Sequence, residues 1–134
     1  MPSEKRRVLC AEPHEDTCLL IKTLLGGQGH EVVAAQTVHD CLELARHERF
    51  DLYMLDDEYV DGTSIELCRE LRALTPETPI LFFSSLALPR DRQRALDAGA
   101  LAYLTKPDGV FEIVNTINSI LLPHSSRHAS SERE

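Results

Sequence analysis

Asp56, Asp57 and Glu58 stand in a row, directly after the apolar run Leu52–Leu55. Three adjacent carboxylates repel one another, so a fold that gathers them at one place needs a cation to match. A solvated acidic turn would use the same residues, since acid-rich loops are common. What separates the two readings is position. A short apolar run bounded by polar turn residues reads as a buried strand of a parallel sheet. Its acids then sit at the strand's carboxyl end, the edge at which open α/β sheets bind ligands. Similar apolar runs end at Glu12, Ser84 and Lys106. Two carboxylates, a hydroxyl and a lysine at matched strand ends make a site, where one alone would be uninformative.

The elements that must position these groups alternate along the chain. Strands are predicted over Arg7–Ala11, Glu31–Ala35, 50–55, 80–83 and 101–104. Pro13 at a first helical position, with Glu15 and Asp16 in the first turn, predicts a helix start. Cys18, Ile21, Leu24 and Leu25 share one face of that helix, and Gly26, Gly27 and Gly29 close it. Val38–His47 turns Cys41, Leu42 and Ala45 inward, and Ser64–Leu74 carries Ile65, Leu67, Cys68 and Leu71. Pro89 opens a fourth helix with Ala95, Leu96 and Ala98 buried, ended by Gly99. The fifth puts Val110, Ile113, Val114, Ile117, Ile120 and Leu121 on one face. Five strands alternating with five helices predict a parallel sheet covered on both faces.

Composition bounds the partners. The 134 residues are 43% hydrophobic and 27% charged, as in one ordinary globular domain. A net charge of -8 argues against a nucleic acid or a membrane surface as the main partner. There is no continuous apolar span, and residues 1–7 lack the long apolar segment of a signal peptide. Cys10, Cys18, Cys41 and Cys68 are scattered without a Cys-x-x-Cys pair, as expected of buried thiols in a reducing cytoplasm. Residues 123–134 turn polar and Ser-rich and read as a flexible tail after a domain spanning 1–122.

Several features then recur in a fixed order. An acid, Glu12, follows the first strand; Asp51 stands five residues before Asp56; Asp61-Gly62 opens a helix. Ser84-Ser85 closes the fourth strand, Ala98-Gly99-Ala100 precedes the fifth, and Tyr103-Leu104-Thr105-Lys106-Pro107 follows. In this the chain resembles, over roughly residues 7–122, the receiver domain of two-component response regulators. The resemblance implies a doubly wound, flavodoxin-like (βα)5 α/β fold, a three-layer sandwich with strand order 2-1-3-4-5. It implies that Asp56 is a phosphoacceptor, attacking a phosphohistidine or small phosphodonor. Mg²⁺ would lie between Glu12, Asp56 and the backbone carbonyl of Glu58. Lys106 would pair with the phosphate, Ser84 would hydrogen-bond it, and Tyr103 would change rotamer with that bond. Pro107 takes the place that follows a cis peptide bond in the family. The implied partners are a sensor histidine kinase or phosphotransfer protein and a downstream protein target. A homodimer through the face of the fourth helix, fifth strand and fifth helix is also implied. Such a chain is a cytoplasmic switch rather than a turnover enzyme.

Three departures stand out. The family's second acid after the first strand is replaced by Pro13, which offers no side-chain oxygen and should weaken Mg²⁺ binding. His14, Glu15 and Asp16 are an alternative ligand set, although helix-start acids ordinarily serve the helix dipole. The loop from Asp56 to Asp61-Gly62 is shorter than the family's usual one by about two residues. Asp57 stands where a hydrophobic residue is customary, and Asp108 replaces an aromatic one. Lys106 as a mere turn residue, Tyr103 as plain core, and Arg90, Arg92 and Arg94 as a solvated face are the ordinary alternatives. The rival function is a pseudo-receiver, an interaction module without metal-dependent phosphorylation. A dehalogenase-type phosphatase would need its nucleophile on the first strand, and a flavin site a phosphate loop where Glu12-Pro13-His14-Glu15-Asp16 would repel one.

Overall fold

A computed structural model describes residues 5–106 and 108–121. Five strands, β1 (Arg7–Ala11), β2 (Glu31–Ala35), β3 (Leu52–Leu55), β6 (Ile80–Ser84) and β7 (Ala102–Thr105), form one parallel sheet in the order β2-β1-β3-β6-β7. Numbered among themselves these are strands 2-1-3-4-5, the expected doubly wound order. Two further strands, β4 (Glu58–Tyr59) and β5 (Gly62–Thr63), make an antiparallel hairpin after β3.

Strand alternation sends successive side chains to opposite faces and so builds two cores. Val8, Cys10, Leu52, Met54, Leu81, Phe83 and Leu104 face helices α1 (Glu15–Gly26) and α5 (Ile113–Leu121). Leu9, Ala11, Tyr53, Leu55, Ile80, Phe82 and Tyr103 face α2 (Val38–His47), α3 (Ser64–Leu74) and α4 (Pro89–Ala98). Each fully buried leucine, such as Leu9, Leu52 or Leu55, contributes about 2 kcal/mol, which holds the strand ends rigidly in register. Thr37 and Thr63 cap α2 and α3, accepting from the Asp40 and Glu66 N–H groups. All four cysteines are buried and free.

Several local expectations are corrected. Pro13 is not the first helical residue: α1 begins at Glu15, with His14 at its N-cap. The reason is the Glu12 carboxylate, which accepts the His14 N–H at 3.1 Å and turns the chain before the helix starts. Phe50 and Asp51 fall outside β3, and the Asp51 carboxylate accepts the Arg7 N–H at 2.7 Å, far from the carboxyl edge. Asp61-Gly62 belongs to the hairpin, not to the first turn of α3. Leu96 is 36% exposed, because Ala95 and Ala98 alone pack α4 closely. A 3-10 segment, Asp108–Glu112, precedes α5. Pro107 with its expected cis bond, the Asp108 side chain and the 123–134 tail lie outside the described residues. No described helix is long and apolar enough to cross a membrane.

Candidate functional site

Register decides which strand ends meet. Ala11 pairs with Leu55, and Ser84 with Thr105, so Glu12 and Asp56 emerge side by side and Lys106 leaves the sheet next to Ser84. Lys106 N–H donates to Ser84 O at 2.8 Å, fixing the backbone from which the ammonium reaches back. Its Nζ lies 2.7 Å from Asp56 Oδ1 and 3.2 Å from Glu12 Oε1, and 5.4 Å from the centroid of Phe83. Glu12 and Asp56 are each only 2% exposed. Two carboxylates buried side by side require such a cation, since an unpaired charge there would be very costly.

The titration behaviour follows from that burial. Burial pushes the Asp56 carboxyl above its ordinary value; the Lys106 hydrogen bond pulls it down, and the Glu12 charge adds to the rise. For Lys106, burial pulls the pKa down, but the hydrogen bond and charges of Asp56 and Glu12 outweigh it and leave the ammonium above its ordinary value.

Ser84 and Tyr103 form a second cluster beside the first. The Ser84 hydroxyl donates to Asp57, not to Asp56, and its oxygen accepts the Leu86 N–H at 3.0 Å. Ser85 donates its N–H at 3.2 Å, and its hydroxyl, to the same Asp57 carboxylate. The Tyr103 ring is buried and stacked on Phe82, with centroids 5.7 Å apart and planes at 16°. Its hydroxyl has one proton for two acceptors, Leu86 O at 2.7 Å and Ser84 Oγ at 3.1 Å. Glu58 opens the hairpin with an exposed side chain on the Asp57 side of the edge.

Three participants carry weak sequence signals. Asp57 reads only as a departure from pattern, yet it takes the serine donors. His14, weighed with Glu15 and Asp16, is the one of the three whose side chain, though exposed, reaches the carboxylate pair. Its Nδ1 lies 2.8 Å from Glu12 Oε2 and 3.8 Å from Asp56 Oδ2, so that Glu12, His14 and Asp56 offer ligand atoms all within 4.8 Å of one another. Tyr59, in the shortened loop, donates its hydroxyl to Ala11 O at 2.7 Å and accepts the Asp56 N–H at 2.9 Å. It thereby ties the ends of β1 and β3 together. Asp61, at the hairpin tip, accepts the Val38 and His39 N–H groups at 2.8 and 2.9 Å, a second cap on α2. Gly62 permits this approach: a Cβ there would meet Val38 Cγ2 at 3.1 Å.

Comparison with known proteins is consistent with this edge. The profile of the response regulator receiver domain matches residues 8–118. The transcriptional regulatory protein ZraR of Salmonella typhimurium is 32% identical over 114 residues, 85% of this chain but 26% of that protein. The KDP operon transcriptional regulatory protein KdpE of Escherichia coli is 34% identical over 122 residues, 91% of this chain and 54% of that protein. The chain therefore spans about a quarter to a half of the length of these relatives. Among solved structures, a CheY-like receiver domain protein from Methanospirillum hungatei superposes with a TM-score of 0.81 at 25% identity, covering 87% of this chain and 93% of that one. Strand order, the acidic edge with its lysine, and the match over nearly the whole described chain lead to one conclusion: this chain belongs to the response regulator receiver domain family.

Proposed function

We propose that the chain is a phosphoaccepting switch with Asp56 as the acceptor. The observation that carries this reading is the Asp56 carboxylate, buried at the end of the central strand β3 and held 2.7 Å from Lys106 Nζ. An Asp56 oxygen attacks the phosphorus of a phosphohistidine or small acyl phosphate. The new O–P bond forms as the donor's bond to phosphorus breaks, and the electron pair leaves with the donor. Lys106 moves from carboxylate to phosphoryl oxygen as a point charge. Ser84 supplies a hydroxyl donor once it lets go of Asp57, and Tyr103 follows the Ser84 oxygen.

The donor set suits a divalent cation. Glu12 and Asp56 give carboxylate oxygens, the Glu58 carbonyl is the family's third ligand, and Pro13 gives nothing. Such an ion supplies charge neutralisation for the phosphoryl group. Mg²⁺ affinity below that of a receiver with two acids after β1 is expected. The partners are a histidine kinase or phosphotransfer protein upstream and a protein target downstream, met through the face of α4, β7 and α5, which would also serve a homodimer. Four buried free thiols support a cytoplasmic setting.

The test is a phosphate-affinity gel after acetyl phosphate and Mg²⁺, comparing wild type with Asp56→Asn. A shifted band in wild type alone is expected; a band that survives in the variant moves the acceptor elsewhere. The pseudo-receiver reading is favoured by one observation, Asp57 already seated on Ser84 and Ser85. It predicts no band in either protein, even with the cognate kinase.

A further inference from the structure

Lys106 divides the buried carboxylate pair into two sides. Its ammonium holds Asp56 Oδ1 and Glu12 Oε1, while Oδ2 and Oε2 face His14. Asp56 Oδ2 accepts no hydrogen bond among the described residues; the Asp56 side chain is only 3% exposed, but this oxygen is open to solvent on the His14 side, His30 Nδ1 being the one fully buried side-chain nitrogen or oxygen without a partner among those residues. One lysine also leaves the pair with a net negative charge. The described surroundings of that oxygen offer the His14 imidazole rather than a second ammonium. The imidazole is on the chain's outer surface, 69% exposed, so it can turn without disturbing the core, and water can reach the same point.

We propose that Glu12, His14 and Asp56 form a mixed nitrogen–oxygen site that selects a later first-row transition-metal ion, such as Co²⁺ or Zn²⁺, over Mg²⁺. The inference rests on the divalent-cation reading of this edge, names the ion and adds His14 to the ligands. Ligand atoms bound at about 2.1 Å lie roughly 3–3.5 Å from one another. The separations of 2.8 and 3.8 Å from Nδ1 are within a few tenths of an ångström of that, a change a surface imidazole can make by small torsions. The chemistry of the replacement sets the direction. A neutral imidazole in place of a carboxylate removes charge, on which a hard ion such as Mg²⁺ depends, and adds a nitrogen donor, which transition ions favour. Pro13 contributes by default, because no side-chain oxygen next to Glu12 competes with the imidazole.

The experiment is a calorimetric titration of the chelator-treated full chain with ZnCl₂, CoCl₂, MnCl₂ and MgCl₂, with Co²⁺ absorption as a second readout. Wild type, His14→Ala, His14→Gln and Asp56→Asn are compared, with circular dichroism to show that each is folded. Zn²⁺ and Co²⁺ affinities should fall on the order of tenfold or more in both His14 variants, as losses even of outer-shell partners of metal ligands do. Mg²⁺ affinity should change little, and the Co²⁺ spectrum should shift. Equal losses for Mg²⁺ and Zn²⁺, or none, would overturn the His14 assignment. Zn²⁺ binding that survives in both His14→Ala and Asp56→Asn belongs to other histidines and also overturns it. The acetyl phosphate gel separates this from the acceptor reading. Phosphorylation of Asp56 without His14-dependent metal selectivity removes only the present proposal, and the converse removes only the acceptor.

Discussion

The Asp57 carboxylate accepts the Ser84 hydroxyl and both donors of Ser85, and so already holds the hydroxyl that the proposed function assigns to a phosphoryl group on Asp56. An anion already in place competes with an arriving one. A hydrogen bond to a charged group is worth about 1.5–3 kcal/mol, or about tenfold or more in an equilibrium. Asp57→Leu should therefore accept phosphate from acetyl phosphate about tenfold faster and hold it longer. Stopped-flow or gel time courses measure both; rates equal to wild type would show that Asp57 does not compete.

Tyr59→Phe removes one oxygen and strands two buried groups, the Asp56 N–H and the Ala11 carbonyl. Each buried unsatisfied group costs about 1–3 kcal/mol, so the variant should lose about 2–3 kcal/mol in urea unfolding. A loss well under 1 kcal/mol would mean that water replaces the hydroxyl.

Lys106→Met leaves Glu12 and Asp56 buried without their ammonium. Breaking a buried pair costs about 3–5 kcal/mol, and the 19% exposure of the lysine side chain argues for the lower end. Added Mg²⁺ should raise the melting temperature more in the variant than in wild type, since a bound cation then replaces the missing charge. A variant as stable as wild type without metal would show that the carboxylates do not depend on Lys106.

Asp61 gives a pH dependence with a definite sign. The His39 N–H bond, then that of Val38, holds its carboxyl below the ordinary 3.8. A depressed pKa contributes stability that is present above the ordinary value and lost as pH falls through the folded-state value. Wild type should therefore exceed Asp61→Asn in stability at neutral pH, and the gap should close in acid below that range. Urea unfolding of both proteins across this range checks it; a constant gap would remove the cap on α2 as its cause.

The α2 and α3 patterns were legible because each spans about three turns of regular spacing; their threonine caps, Thr37 and Thr63, emerge only from the structure. The strands were legible as apolar runs, and their polar ends located Glu12, Asp56, Ser84 and Lys106. The hairpin was not. Its strands have two residues each, too short to show a period, and Tyr59 is buried only because the shortened loop folds it under the edge. The seat of Asp57 on the serines and the aim of His14 depend on contacts between distant strand ends, to which spacing along the chain is blind. Pro13 illustrates the same limit: a proline beside two acids suits a helix start, but the Glu12 side chain moves that start to Glu15.

The chain has three tyrosines and no tryptophan. Tyr53, Tyr59 and Tyr103 are all buried with bonded hydroxyls, and the last two end at the carboxyl edge, against Asp56 and Ser84. Two of the three tyrosine emitters of the unlabelled protein thus stand beside the site, with no indole to take up their energy by transfer. If the proposed function holds, metal or phosphate arriving at that edge should change tyrosine emission, which needs no added dye.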